Sequence, residues 1–337
     1  MRLHWTHPTI VRRPTIAVLS AAALLVACRD FPEATAPSRP PADVVVAPPL
    51  CGIVTTNTNL SGDCLGPLVV AASGITVNLG GHAVTCGPVP NPPTSSFGIE
   101  ILGQTNDHVT NGEVENCYFG IKIFQGGGHE LSNLNVHNHG FVGIALQASS
   151  NNDIRNTISS ANTVFGVQLA IRAAFNRLDH LQIEQNAEGI RIDGGSDNNV
   201  VTSSFLLSNA PTGINIFGDN NTIDQSTTVR QSAVGIAVST TGIAATGNTI
   251  RATSASQNDL YGIFLSAGAT NTTIQSSDAS NNGLTGIYLF SGATSNRIMS
   301  NKAFGNGSDD LVDDNLACDT NTWKSNQFGT ANQTCIS

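Results

Sequence analysis

The sequence predicts an all-β fold in which short parallel strands stack rung upon rung into a solenoid. Gly-Ile, or once Gly-Val, recurs every 22 to 27 residues, at Gly98, Gly120, Gly143, Gly166, Gly189, Gly213, Gly235, Gly262 and Gly286. A second pattern, half a repeat out of phase, places Asn before an aliphatic residue, at Asn152, Asn176, Asn199, Asn221, Asn248, Asn271 and Asn296. Only 12% of the 337 residues are charged and 5% are aromatic. This period excludes heptads, and its β-branched and Asn-rich composition disfavours a helical repeat.

Each repeat is expected to hold three short strands, with every strand bonded to its equivalent one rung above and below, about 4.8 Å away. Side chains alternate along a strand, so Ile99 and Ile101 point inward and stack on Ile121 and Ile123. Glycine would form one tight corner. Asn would form another, because it tolerates a left-handed backbone and its amide can bond to the amide on the next rung. About nine to eleven rungs follow.

The N-terminus predicts export. An apolar run of secretory length, too short to span a bilayer, follows Arg12 and Arg13. It ends in Leu-Val-Ala-Cys28, which resembles the bacterial lipobox and implies a signal peptide over 1–27 and a lipid anchor at Cys28. A plain signal peptide with an incidental cysteine is the alternative. Residues 28–50 are rich in proline, which predicts a stiff tether before a folded domain at 51–337.

The cysteine count agrees with export, because six cysteines remain after Cys28 is set aside. Cys51 lies near Cys64 at the start of the domain, and Cys318 lies near Cys335 at its end. Cys86 and Cys117 each follow a glycine by five residues, which predicts equivalent positions on adjacent rungs and a disulfide between them. No Cys-x-x-Cys spacing occurs, so disulfides are favoured over a metal site. The predicted pairs are Cys51–Cys64, Cys86–Cys117 and Cys318–Cys335.

The two ends of the domain carry a family resemblance. The segment from Cys51-Gly-Ile-Val through Ile75-Thr-Val-Asn-Leu-Gly-Gly-His82 resembles the entry rungs of the right-handed parallel β-helix superfamily, the pectate-lyase-like fold. The segment from Asp310 to Ile336 resembles its last rungs. The resemblance covers residues 51–337 and implies a single right-handed parallel β-helix whose ends are capped, since an open solenoid exposes unpaired edges.

Superfamily members that cleave or epimerise acidic polysaccharides work on an outer strand face, with clustered Asp residues and sometimes calcium. The outward positions beside each Gly-Ile are therefore the candidate site. Their middle section is polar and flanked by aromatic rings, a combination suited to a sugar chain because rings stack on pyranoses while amides and guanidinium read hydroxyl groups. The predicted ligand-binding residues are Lys122, Phe124, Gln147, Gln168, Arg191, Asp193, Asn215 and Phe217.

The same face gives little support for catalysis. Asp193 is the one carboxylate that the pattern places in this stretch, whereas a glycosidase needs two. The superfamily's hydrolase motifs are absent as an ordered set, so no catalytic residue is assigned. The Asp309 to Asp314 run lies in the predicted C-terminal cap, where an ion would stabilise the cap. His137 and His139, with His108 or His129, form a weaker metal alternative; we predict no metal site and no cofactor, with calcium left open.

Two functional hypotheses follow. The first is a lipid-anchored envelope protein that binds carbohydrate or envelope material, or acts as a surface scaffold. The second is a polysaccharide lyase, hydrolase or epimerase that uses the outer strand face. The net charge of −9 opposes binding to nucleic acid. A monomer on a bacterial membrane, facing the periplasm or the exterior, is expected.

Overall fold

The computed structural model describes residues 48–87, 96–240 and 242–337. The predicted signal peptide, the lipid anchor at Cys28 and nearly all of the tether lie outside these residues. Within them the chain forms a parallel β-solenoid of about 11 turns, which confirms the predicted fold class. None of the helices in the described ranges has the length and hydrophobicity needed to cross a bilayer.

Three sheets run the length of the solenoid. Sheet A contains the Gly-Ile strands and is formed by Leu50–Val54, Cys64–Val70, Phe97–Leu102, Phe119–Phe124, Val142–Gln147, Phe165–Ala170, Glu188–Ile192, Thr212–Ile216, Val234–Val238, Tyr261–Leu265, Thr285–Leu289 and Leu311–Asp313. Sheet B is formed by Thr58–Asn59, Thr76–Asn78, the first halves of His108–Glu115 and Glu130–His137, Asp153–Arg155, Arg177–Asp179, Val200–Thr202, Thr222–Asp224, Thr249–Arg251, Thr273–Gln275, Arg297–Met299 and Thr322–Lys324.

Sheet C includes the second halves of the two long strands. It is formed by Ala83–Thr85, the ends of His108–Glu115 and Glu130–His137, Ile158–Ser160, Gln182–Glu184, Phe205–Leu207, Thr227–Val229, Ser254–Ser256, Lys302–Ala303 and Gln327–Phe328. Ala245–Thr246 pairs with Ala269–Thr270 at a corner, and a short 3₁₀ helix spans Leu316–Cys318.

The interior is built from aliphatic side chains stacked rung on rung. Ile121 pairs with Ile99 below it and with Ile144 above it, in the predicted register. These isoleucines are fully buried, as is Ile123, two residues after Ile121 on the same strand. Burial of such a side chain contributes roughly 1.5–3 kcal/mol, so the repeated Gly-Ile-x-Ile pattern supplies a continuous core.

Two ladders of buried asparagines line the corners of the solenoid. In the first, the backbone N–H and the side-chain amide of Asn176 both donate to Oδ1 of Asn199, at 2.9 and 3.0 Å. Asn199 repeats the arrangement with Asn221. A second ladder, which the sequence pattern did not reveal, contains Asn162, Asn186, Asn209, Asn258, Asn282 and Asn306.

The prediction that one Asn both turns the corner and stacks was wrong. The left-handed conformation belongs to the residue before each ladder position, such as Asn198 with φ of 59° and Asn220 with φ of 55°. The ladder residue itself turns its amide inward. At one rung Asn271 takes the left-handed position and Thr272 the ladder position, so the two roles separate there.

The Gly-Ile glycines are required for close approach of the backbones. None has a φ in the left-handed region, so the predicted reason for them was wrong. A Cβ placed on Gly166 would lie 2.6 Å from the carbonyl oxygen of Gly189 and 2.8 Å from Nδ2 of Asn186. Any other residue would push the rungs apart at this point.

The structure forms the three predicted disulfides, Cys51–Cys64, Cys86–Cys117 and Cys318–Cys335. The rung alignment around the middle pair differs from the prediction by one residue. Thr85 pairs with Glu115, which sets Cys86 opposite Asn116, yet the Cα atoms of Cys86 and Cys117 are 4.9 Å apart and the bond forms.

The C-terminal aspartates close the solenoid. Asp310 accepts hydrogen bonds from the backbone N–H groups of Gly329 and Thr330. Asp313 is buried and accepts from Asn315 and from the indole N–H of Trp323 at 2.9 Å. Hydrogen bonds from backbone and side-chain donors thus hold both carboxylates as parts of the cap.

Candidate functional site: the outer face of sheet A

Three columns of outward side chains run along the outer face of sheet A. Two are the predicted columns; for example, Gln168 pairs with Arg191, and Arg191 with Asn215. The third column is the residue before each Gly-Ile, as the contacts of Glu188 and Phe165 with Arg191 show. Its members are Phe97, Phe119, Val142, Phe165, Glu188, Thr212, Val234, Tyr261 and Thr285.

A hydrogen-bonded charge cluster occupies the middle of this face. Arg191 Nε donates to Asp193 Oδ1 at 2.6 Å, and Arg191 Nη1 donates to Glu188 Oε2 at 3.2 Å. Gln168 donates to the other oxygen of Asp193 at 2.9 Å, and Asn215 donates to the other oxygen of Glu188 at 2.8 Å. We call these five residues the central cluster. Its ion pairs couple one guanidinium to two carboxylates.

Aromatic rings pack on the guanidinium of Arg191. Its Cζ lies 4.5 Å from the ring centroid of Phe217 and 5.4 Å from that of Phe165, close enough for cation–π contacts. Burial alone would lower the pKa of Arg191, but the hydrogen bonds and charges of Asp193 and Glu188 raise it above its ordinary value. The guanidinium therefore stays charged and fixed in one orientation.

An aromatic wall continues from the central cluster toward the N-terminal rungs. Phe119 packs against Phe97, Tyr118 and Phe141, with ring centroids 5.3 to 5.5 Å apart. Lys122 extends over this wall, with its Nζ 4.8 Å from the ring of Phe97 and 5.8 Å from that of Phe124. Within the described residues, no carboxylate lies within ion-pairing distance of Lys122.

The structure brings together most of the predicted ligand-binding residues. Gln147 pairs with Phe124, and the central cluster begins on the next rung with Gln168. Asn215 is only 9% exposed, and its amide holds Glu188 in place. Its role as a ligand contact stays a prediction.

Sequence reasoning missed Glu188 and Phe165. The expectation that Asp193 is the one carboxylate in this stretch was therefore wrong. Glu188 and Phe165 each immediately precede a Gly-Ile or Gly-Val dipeptide. The position before each Gly-Ile carries an aromatic residue on several rungs. This recurrence was a sequence signal from which the third column could have been predicted.

A second aromatic group lies on the same face toward the C-terminus. Tyr261, Phe264, Tyr288 and Phe290 pack with ring centroids 5.1 to 6.4 Å apart. The hydroxyl group of Tyr288 donates to Asp314. Burial and this carboxylate raise the pKa of Tyr288, so the hydroxyl group remains protonated.

The metal alternative built on His137 and His139 was wrong in its choice of ligands. His139 is buried; its Nδ1 accepts from the backbone of Cys117, and its Nε2 lies 3.1 Å from the carbonyl oxygen of Val114. His129 is buried beside Asp107. Each of these two histidines occupies the first position of one Asn ladder. Its Nδ1 accepts a backbone N–H, as the side-chain oxygen of an Asn does on the later rungs. Neither converges with His137.

Comparisons with known proteins support this architecture. A model of the right-handed beta helix region matches residues 70–206. The protein has the right-handed parallel β-helix fold that this family model describes. A model of the periplasmic copper-binding protein NosD matches residues 171–335 of this β-helix protein. No curated protein sequence matches it.

Solved structures similar to the β-helix protein include carbohydrate-active enzymes. The A-module of mannuronan C-5 epimerase AlgE4 from Azotobacter vinelandii is 13% identical, with a TM-score of 0.67 over 84% of this chain and 88% of that one. The periplasmic alginate epimerase AlgG is 13% identical, with a TM-score of 0.68 over 83% and 77%. The catalytic domain of a GH87 α-1,3-glucanase is 16% identical, with a TM-score of 0.62 over 86% and 63%. At these identities the likeness concerns the fold.

The copper suggested by the NosD match does not fit the residues present in that segment. His180 is its single histidine, and Cys318 and Cys335 are joined in a disulfide. Among its described residues, no three His, Cys, Asp or Glu side chains bring ligand atoms together. The donor set that copper requires is therefore lacking there.

Proposed function

We propose that this β-helix protein is exported to the bacterial cell envelope and binds a neutral polysaccharide along the outer face of sheet A. The observation that carries the proposal is the central cluster flanked by Phe165 and Phe217. Aromatic rings offer stacking surfaces for pyranoses, and the cluster offers fixed hydrogen-bonding groups between them. Enzymes of similar fold act on polysaccharides, which supports a carbohydrate-related role.

Charge favours a neutral polymer over an acidic one. Two carboxylates surround the single guanidinium of the central cluster, so its formal charge is negative. Lys122 and the exposed Arg172 are nearby cations that an acidic sugar could reach. A neutral chain pays no electrostatic penalty on a protein with a net charge of −9.

A linear polymer also matches the shape of the surface. Equivalent side chains recur about every 4.8 Å along the axis, on a scale similar to one sugar unit. A chain that runs along the axis would contact the aromatic wall, the central cluster and the second aromatic group in succession. Binding therefore distributes over several rungs, as the Lys122 to Phe217 prediction requires.

The test is retention of the purified protein on neutral polysaccharides, with alginate as the acidic comparison and with and without calcium. Phe217→Ala removes a ring but leaves the ion pairs intact, so we expect roughly 10-fold weaker binding, the size of a lost stacking contact of about 1–1.5 kcal/mol. Phe205→Ala is the matched control, because Phe205 is an exposed ring on sheet C. Equal retention of the two variants, or no retention of the native protein on any polymer, would refute the proposal.

Catalysis is the second candidate, because Glu188 gives the face two carboxylates. A hydrolase requires a pair of carboxyl groups, one of them free to give or accept a proton. Here Arg191 binds both, which favours a binding role. Release of reducing ends by the native protein, lost in Glu188→Gln and Asp193→Asn, would establish the enzyme instead.

The envelope location and anchor are also part of the proposal. Three disulfides are typical of proteins that fold outside the cytoplasm. The family model that matches residues 171–335 is named for a periplasmic protein. Cys28→Ser is expected to release the protein from the membrane fraction, and unchanged membrane association would exclude the lipid anchor. A monomer that does not bind nucleic acid is expected.

A further inference from the structure

Two glutamates and a histidine converge on the outer face of sheet C. Val114 is fully buried, so Glu113 and Glu115 on either side of it both point outward. His137 lies directly opposite Glu115 on the next rung. One ligand atom from each of the three side chains lies within 4.8 Å of the other two. The strand register therefore creates a three-donor group on a rigid part of the fold.

Several other outward carboxylates of the solenoid are paired with an arginine, unlike this group. Arg155 binds Glu130, Arg177 binds Asp179 and Arg251 binds Asp224. In the described part of the chain, no Lys or Arg lies within 4.0 Å of Glu113 or Glu115. Two carboxylates held side by side repel each other, and a bound dication would remove that repulsion.

The surrounding side chains suit a metal-binding histidine. His137 Nε2 forms a hydrogen bond with Glu113, whose Oε1 also accepts from Asn135 at 3.3 Å. The amide of Asn138 lies 2.7 Å from His137 Nδ1. Rotation of that amide would let its oxygen accept Nδ1–H, which leaves Nε2 free to bind a metal, as is usual for histidine ligands.

Solvent can reach the group. The side chain of Glu113 is 39% exposed and that of His137 is 16% exposed, so an ion can enter without a change in the fold. The disulfide at Cys117 lies two residues beyond Glu115 and fixes the end of its strand.

We propose that Glu113, Glu115 and His137 bind a divalent first-row transition-metal ion such as Zn²⁺. The imidazole nitrogen selects such ions over Ca²⁺ and Mg²⁺, which prefer oxygen ligands alone. Water would complete the coordination. The site lies outside residues 171–335, which the NosD model matches, and on a different sheet from the proposed polysaccharide surface. The proposal is therefore independent of the NosD match and of the proposed polysaccharide binding.

Calorimetric titration of the purified protein with Zn²⁺ at pH 7 tests the proposal. We expect one site that Glu115→Gln and His137→Gln each weaken roughly 10-fold or more, as loss of a ligand or its support does. His108→Gln is the matched control. His108 lies on the same strand as Glu115 and 3.5 Å from Glu130, but Arg155 already pairs with that carboxylate. Its replacement should leave the affinity unchanged.

Two further measurements keep the result interpretable. Circular dichroism verifies that each variant is folded, and electron paramagnetic resonance with Cu²⁺ as the probe should show a single imidazole nitrogen that His137→Gln removes. Absence of Zn²⁺ binding, equal loss in His108→Gln, unchanged affinity in both site variants, or Ca²⁺ binding as tight as Zn²⁺ would each overturn the proposal.

Discussion

The interior and the outer face of sheet A both carry connected polar side chains, but the two networks are built differently. Inside, Asn176, Asn199 and Asn221 repeat one residue type on successive rungs and are at most 1% exposed. Outside, the central cluster combines five different side chains on neighbouring rungs and remains partly open to solvent. A buried polar group must find a partner on every rung, whereas a surface group can use water. The interior network therefore stabilises the fold, and the outer one is free to vary for recognition.

The largest effect is expected inside the ladder. Asn199→Ala would leave the N–H of Asn176 and the carbonyl oxygen of Ala173 without their partners. Buried unsatisfied groups cost about 1–3 kcal/mol each, so we expect a loss of roughly 4 kcal/mol in the free energy of unfolding, measured with urea. Asn198→Gly is the control: its left-handed backbone suits glycine, and the stability should change little. Equal effects of the two variants would contradict the assigned roles.

Acid should weaken the interior network. Burial lowers the pKa of His139 to about 3, against the pull of its hydrogen bonds to the backbone of Cys117 and Val114. Between pH 6.5 and 3 His139 binds a proton in the unfolded chain but not in the folded one. The contribution of His139 to the free energy of unfolding is complete above pH 6.5 and falls by about 1.4 kcal/mol per pH unit below it.

His139→Asn tests this expectation, because Asn continues the ladder that Asn162 occupies on the next rung. Urea unfolding from pH 8 to pH 4 should show a shallower loss of stability in the variant. Burial also lowers the pKa of His129, so this residue too takes up a proton when the protein unfolds in acid. That contribution to the pH dependence remains in the His139→Asn variant. An unchanged slope would show that His139 is accessible to protons in the folded protein.

A smaller effect is expected on the outer face. Arg191→Ala would leave Glu188 and Asp193 without their cation, and the arginine side chain is only 26% exposed. We expect a loss of about 2 kcal/mol, between the values for surface and buried ion pairs. A fully exposed arginine at an outward position would give almost no loss.

Arg251→Ala is the matched comparison for that measurement. Arg251 also binds an aspartate, Asp224, but its side chain is 57% exposed. Its removal should cost less than about 0.5 kcal/mol, as for most exposed ion pairs. If the two arginine variants unfold at the same urea concentration, the central cluster is no more fixed than an ordinary surface pair.

Much of the candidate surface could be predicted because strand alternation is strictly periodic. Once Ile190 and Ile192 are assigned to the core, Arg191 must face outward and lie between Gln168 and Asn215. Strict alternation would place the residue before each Gly-Ile on the inward side, however, whereas Glu188 and Phe165 contact Arg191 on the outer face. Accessibility was also beyond the pattern, because Asn215 faces outward and yet is only 9% exposed.

The sequence by itself determined the parallel solenoid, the strand register of sheet A and the three disulfides, because each depends on a repeat or a spacing along the chain. The tertiary structure decided why the Gly-Ile glycines are needed, which Asn residues form the ladders, and which charged groups meet. Those features depend on distances between rungs that are more than 20 residues apart in the chain. Glu113, Glu115 and His137 illustrate the difference, since the three residues become neighbours only when one rung is laid on the next.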